Sequence, residues 1–511
     1  MLRDAREVAG SAELHADLCI VGAGPAGLVL ARELVGIDRT VILLESGGSD
    51  TEPAAQELNR GDVNGIAYSG LDQTRHRQIG GTTNTWNTPL RTLMGAKYVP
   101  LDPWDFEPRS GPGPSGWPFD GAALRTYYRR AQGVCGLGAF DYTGERTGGS
   151  ASALPLPSPI LSPAIYQFGP AALFTQTYPE QLAASNNVTL LHQGTACGLR
   201  IDSNARTATG IDVATLSGTR FRIRARLFVL AAGAVENARL LLLSREPGRD
   251  APGNAGGWVG RCFMEHPRDR SLRLIPAGPE VYRQAAFYDR HEWDNGVTTA
   301  GRMAFDPRIG ERSELPNASI TLLPLPRDSA PGARLLKRVA RRLGAPRLAA
   351  TAPRGYGWST TDCPDRHYRG FQLLLNLEQF PHPENRIVLG AKPDRLGLQR
   401  AALHWQWRAP DQSRLDRLRE TIAEAFRATE LGRIEMDRNA RPDLSAHHHA
   451  GTVRMHDTPR QGAVDADTRV HGMDNLYVTG SAVFPTAGYA NPTLTIVALA
   501  LRLADHLKNR L

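Results

Sequence analysis

The chain has 511 residues, with 41% hydrophobic and 22% charged residues, which excludes wholesale disorder and suffices for two domains or one large composite. Five cysteines (Cys19, Cys135, Cys197, Cys262 and Cys363) are odd in number and scattered, with no CxxC pair, against a disulfide framework, a zinc ribbon or an attached c-type haem. The formal charge of +8 comes without an aromatic-interleaved basic patch, so nucleic acid is not an expected partner.

At the N-terminus, MLRDAREVAGSAELHAD carries neither an apolar signal core nor twin arginines. No apolar run approaches the roughly 20 residues needed to cross a bilayer, and a cytoplasmic address is expected. The next segment, ADLCIVGAGPAGLVLARELV, reads as a strand at 18–21, a glycine turn, and a helix at 28–35. Gly22, Gly24 and Gly27 stand in GxGxxG spacing. The first makes the tight turn, the second admits a pyrophosphate to the backbone, and the third lets helix and strand pack closely. A second strand, TVILLES, ends at Glu45, 18 residues beyond Gly27, where an acid accepts hydrogen bonds from an adenosine ribose. The segment GPGPSG (Gly111, Gly113, Gly116) has the same spacing but follows DFEPRS rather than a strand, and reads as a loop. One such site in the chain fits an adenine dinucleotide, NAD or FAD.

Residues 140–175, rich in Gly, Ser, Ala and Pro, are expected as a loop over a pocket. Residues 221–244 read as strand, small-residue turn at 231–234, and apolar helix; the turn, with Ala232 and Gly233, lets backbone approach a cofactor. TTAGRMAF and RGFQLLLNLEQ read as strands. In RLLKRVARRLGAPR, Arg334, Lys337, Arg338, Arg341 and Arg342 form one helical stripe opposite an apolar one, a basic helix at 334–347 suited to solvent, an anionic membrane or an acidic partner. Near the C-terminus, NLYVTG leads through Gly480 and Ser481 into a helix expected to start at Pro492, with Asn491 as N-cap. Its positive dipole end would suit the negative N1–C2=O edge of a reduced flavin, which favours FAD.

VGAGPAG, IGGTTNTW at 79–86, VGRCFMEHP at 259–267, EQFPHPENRIVL at 378–389, HHAGTVRM and the C-terminal block together resemble the glucose–methanol–choline oxidoreductase family. LDPWDFEPR and SGWPFD are similar to its bacterial sugar- and polyol-oxidising branch, near pyranose oxidase. The resemblance implies an α/β fold: an FAD-binding Rossmann-like domain built from discontinuous segments (15–110, 185–275 and 440–511) plus a substrate domain with an antiparallel sheet (111–184 and 276–439). It implies an FAD-dependent oxidoreductase for CH–OH donors such as a sugar, polyol or glycosylated metabolite, with oxygen, a quinone or another electron acceptor. Cofactor contacts are expected from Gly22, Gly24, Gly27, Glu45, Gly80, Gly81, Asn84, Asn87, Cys197, Ala232, Gly233, Gly480, Ser481, Pro492 and Thr493.

Three histidines, His447, His448 and His449, precede the GT pair. In the family the histidine three residues before that glycine is the active-site base, which here is His448, and its partner before the C-terminal helix is Asn491. Imidazole titrates near operating pH and can take the hydroxyl proton, while a carboxamide can donate to a developing alkoxide. On an extended segment side chains alternate, so His447 and His449 are expected to point away from the face His448 uses. No HxxxH or carboxylate cluster lies nearby, and no metal site is expected. His266 in MEHP is read as structural. In pyranose oxidase-like members a histidine before the tryptophan bonds to the flavin; this chain has Thr85 before Trp86, so the FAD is expected to be non-covalent. Alternatives are a flavin-containing lyase of the same fold or a subunit of a membrane-linked dehydrogenase.

Overall fold

The computed structural model describes the whole chain except residues 91–92, 146–152, 157–159, 294–295, 307, 309–313 and 328–355. The basic stripe at 334–347 lies outside the described residues. One sheet has eight strands. Its parallel centre runs Leu2–Asp4, Val188–His192, Val41–Leu44, Glu13–Val21 and Arg220–Leu230. Leu476–Val478 also pairs in parallel with Arg220–Leu230, while Ala208–Ala214 and Thr195–Ile201 add an antiparallel edge. The central strands are covered on both faces, which is why residues 18–21, 41–44 and 227–230 read as continuous apolar runs. The outer half of Arg220–Leu230 reaches water, and there Arg222, Arg224 and Arg226 pair with Glu13 and Asp17.

A second sheet of nine strands is antiparallel throughout. TTAGRMAF forms Thr298–Phe305, and RGFQLLLNLEQ supplies most of Tyr368–Leu377. Its apolar face, with Leu272, Leu274, Leu373 and Leu375, shares a core with Leu415, Leu418, Ile422 and Phe426 of the Ala409–Arg427 helix. Strands Thr88–Leu90, Leu93–Tyr98 and Arg268–Pro276, which the sequence division places with the cofactor segments, pair into this sheet. The Ala122–Val134 helix, placed with the substrate segments, packs instead on the C-terminal helix Thr493–Lys508.

Two expectations change. Within 140–175, residues Leu161–Pro170 form a strand and Leu173–Thr177 a helical turn rather than a loop. Ladder pairing with Thr298–Phe305 and burial of Ile165, Tyr166 and Phe168 outweigh the loop-like composition. The C-terminal helix starts at Thr493, with Pro492 rather than Asn491 at the cap and no side-chain cap bond. Asn491 is therefore free for another use.

Candidate active site

The ends of the parallel strands open into a cleft of about 1530 Å³, its mouth included. Gly22, Gly24, Glu45, Gly81, Ala232, Gly233, Gly480, Ser481, Pro492 and Thr493 all line it, together with His448 and Asn491. The glycines divide their work. A Cβ on Gly27 would fall 1.9 Å from the Gly22 carbonyl oxygen, so its role is helix–strand packing rather than lining. Gly24 and Gly233 have open space where a side chain would be, a cradle for a group that must touch backbone. Glu45 accepts the backbone N–H groups of Ala23 (2.8 Å) and Gly47 (2.9 Å), tying the second strand to the glycine turn. Burial raises its pKa above the usual carboxylate value.

Besides Gly27, four expected contacts lie off the lining. Gly80, with φ +89°, shapes the turn before Gly81. Asn84 Nδ2 donates to the carbonyls of Ile79 (2.9 Å) and Gly81 (2.8 Å), so it braces that turn. Asn87 is exposed: Trp86 faces the cleft, and its neighbour does not. Thr195 and Ala196 reach the lining, whereas Cys197 is turned back, its Sγ 3.3 Å from the Thr195 carbonyl.

The histidine run departs from simple alternation. His447 has φ +61°, a left-handed kink, and all three histidines reach the cleft wall. Their partners differ. Buried Glu265 accepts the His447 N–H at 2.9 Å, and burial lifts its carboxyl pKa to about 8. His449 Nε2 lies 2.9 Å from the Tyr68 hydroxyl, and its carbonyl accepts from Ser481 Oγ at 2.6 Å. His448 Nε2 lies 3.2 Å from Asn491 Nδ2, and His448 Nδ1 lies 3.0 Å from His266 Nδ1. Burial, then neighbouring His266, Arg268 and Lys97, hold the His448 imidazole well below its ordinary pKa, so it is neutral and has a lone pair to offer. Burial pushes His266 down to about 3.

Sequence reasoning did not anticipate His266 at His448, nor Lys97, Arg75, His76 and Arg77 on the lining. The MEHP motif marked His266, but only the fold sets it beside residue 448. His76 Nδ1 is buried with no hydrogen-bond partner among the described residues. With the open glycine cradle and the helix start at Thr493, this donor and acceptor set suits a phosphate-bearing flavin nucleotide.

Residues 381–500 match the family model described as GMC oxidoreductase. The chain is 25% identical to 6'''-hydroxyparomomycin C oxidase of Streptomyces lividus, over 98% of this chain and 93% of that protein. It is 25% identical to the fructose dehydrogenase large subunit of Gluconobacter japonicus, over 98% of each chain. Pyridoxine 4-oxidase from Mesorbium loti superposes with a TM-score of 0.57 at 18% identity, covering 96% of this chain and 99% of that one, a likeness of fold. No helix among the described residues is long and apolar enough to cross a membrane. The chain is thus similar to the GMC oxidoreductases over residues 381–500, and to curated oxidases and dehydrogenases along nearly its whole length.

Proposed function

We propose that this protein oxidises a CH–OH group of a sugar, polyol or glycosylated metabolite, with His448 as base and Asn491 as the partner of the substrate oxygen. The contact between His448 Nε2 and Asn491 Nδ2, 3.2 Å across the cleft wall, carries this reading. Bound FAD would supply the two-electron acceptor for the carbinol hydrogen. The glycine turn, Glu45 and the small residues 231–233 would hold its nucleotide half, and the segment from Gly480 to Thr493 its other end.

The proton follows from the histidine pair. Between two neutral imidazoles one Nδ1 must donate and the other accept. With His266 Nδ1 as acceptor, His448 Nδ1 donates, and the unprotonated His448 Nε2 accepts from Asn491 Nδ2 until a substrate hydroxyl takes that place. A substrate hydroxyl set between Nε2 and the Asn491 carboxamide would give its proton to the imidazole. Asn491 would then donate to the oxygen as negative charge develops on it.

Anaerobic mixing of the FAD-loaded protein with a panel of sugars and polyols tests this. An oxidoreductase bleaches its yellow absorbance, and His448→Ala should slow bleaching by about 10²–10⁴-fold. A variant that bleaches at the normal rate would refute the base assignment. Turnover with the colour retained would favour a lyase.

A further inference from the structure

Lys97 stands on the Leu93–Tyr98 strand of the nine-stranded sheet and lines the same cleft as His448 and Asn491. Its ammonium lies 4.4 Å from the centroid of the Tyr166 ring. The guanidinium of Arg302 lies 5.3 Å from the same ring and 5.1 Å from that of Tyr489. Arg302 is 3% exposed, and its Nη1 has no hydrogen-bond partner. Burial first, with Arg268 among the neighbouring charges, lowers the pKa of both Lys97 and His448. Among the described residues, none of these three cations has a carboxylate within 4.0 Å. The nearest acid to the histidines, Glu265, is held largely protonated by burial.

Lys97 is half-buried, and an ammonium partly withdrawn from water without a counter-ion is costly, since ring contacts replace only part of its hydration. Three buried cations elsewhere are paired, Arg109 with Glu378, Arg239 with Asp394 and Arg419 with Asp269, whereas fully buried Arg454 has no carboxylate or hydrogen-bond partner among the described residues. Within the cleft, Arg75 and Arg77 pair with Glu236, while Lys97 has no carboxylate among the described residues. A compact oxyanion arriving with the substrate would complete the charge balance there, as a carboxylate completes the other three.

We propose that Lys97 anchors a subsite for an oxyanion, a carboxylate or phosphate, on the same molecule whose hydroxyl meets His448. Resting on the alcohol-oxidation reading above, this makes the preferred substrate an acidic sugar or polyol. Neutral sugars lack the group, and amino sugars bring a like charge to it.

The test compares anaerobic reduction of the FAD-loaded protein by gluconate, glucose 6-phosphate, glucose and glucosamine, in wild type and Lys97→Met. The wild type should favour one acidic compound over its neutral counterpart. Lys97→Met should lower that preference by about tenfold to hundredfold, the value of a charge-assisted hydrogen bond, and Lys97→Arg should restore part of it. Carboxylate and phosphate sources are told apart by which compound shows the preference. A second readout needs no turnover: titration of the flavin absorbance with gluconate and with inorganic phosphate should give affinities that weaken in Lys97→Met.

Three results would overturn the proposal. The wild type could prefer glucose or glucosamine, which would leave alcohol oxidation standing and remove the oxyanion subsite. Lys97→Met could slow all four compounds equally while shifting the flavin reduction potential, assigning Lys97 to the cofactor. Anion affinity could be the same in both proteins. Should no alcohol bleach the flavin, the alcohol-oxidation reading fails, and the equilibrium titration still decides the role of Lys97.

Discussion

His266 Nδ1 lies 3.0 Å from His448 Nδ1, although the residues are 182 positions apart in the chain. Replacing His266 by Gln should leave FAD bound but release the tautomer of His448. Flavin reduction should slow by about tenfold to hundredfold, a share of the roughly 10²–10⁴ a base contributes. The pH profile separates positioning from mere structure. In wild type the acid limb of kcat/KM should lie below the ordinary imidazole value of about 6.5, because His448 is depressed. His266 is one of the neighbours that depress it, so the limb should move upward in His266→Gln. An unmoved limb would leave His266 a packing residue.

Stability should depend on the same buried imidazole. The His266 pKa is about 3 in the folded protein and about 6.5 when unfolded. Between those values the unfolded chain binds the extra proton, so stability is complete above about 6.5 and falls as pH drops. One such group contributes a slope of about 1.4 kcal/mol per pH unit. The thermal midpoint of His266→Gln should therefore fall less steeply on acidification than that of wild type. Parallel curves would contradict this.

Two glycines of the nucleotide turn should respond differently to alanine. At Gly27 the new Cβ would meet the Gly22 carbonyl at 1.9 Å, and overpacking of about 1–3 kcal/mol or more should lower the melting temperature even without cofactor. At Gly24 nothing lies within 4 Å. Its alanine variant should melt like wild type when cofactor-free, yet retain less FAD on gel filtration. Equal FAD retention would argue against phosphate contact there.

The flavin should leave the protein without bond cleavage. Thr85, which donates from Oγ1 to the Thr82 carbonyl at 2.8 Å, stands where the resemblance to pyranose oxidase-like enzymes implies a flavin-linking histidine. Acid precipitation should give a yellow supernatant and a colourless pellet. Colour retained in the pellet would show another attachment point.

Local patterns in the chain determined a good deal. Apolar runs at 18–21, 41–44 and 227–230 specify strands buried on both faces. Glycine spacing specifies the turn, and TTAGRMAF reads as a strand, one of the nine in the antiparallel sheet. These depend on neighbours a few residues away, so they are legible without a fold. The motif at 447–455 and the asparagine at 491 likewise marked a site through resemblance to a family. Only tertiary structure decided what those residues do with each other. Asn491 looked suited to capping a helix, but the helix begins two residues later and leaves its carboxamide for His448. Asn87 and Cys197 looked like contacts, but Asn87 is exposed off the cleft lining, and Cys197 turns its Sγ back to the Thr195 carbonyl. His266 and Lys97 carry no local signal of their roles: each becomes meaningful through burial and through charges brought from distant segments, and neither quantity exists until the chain has folded.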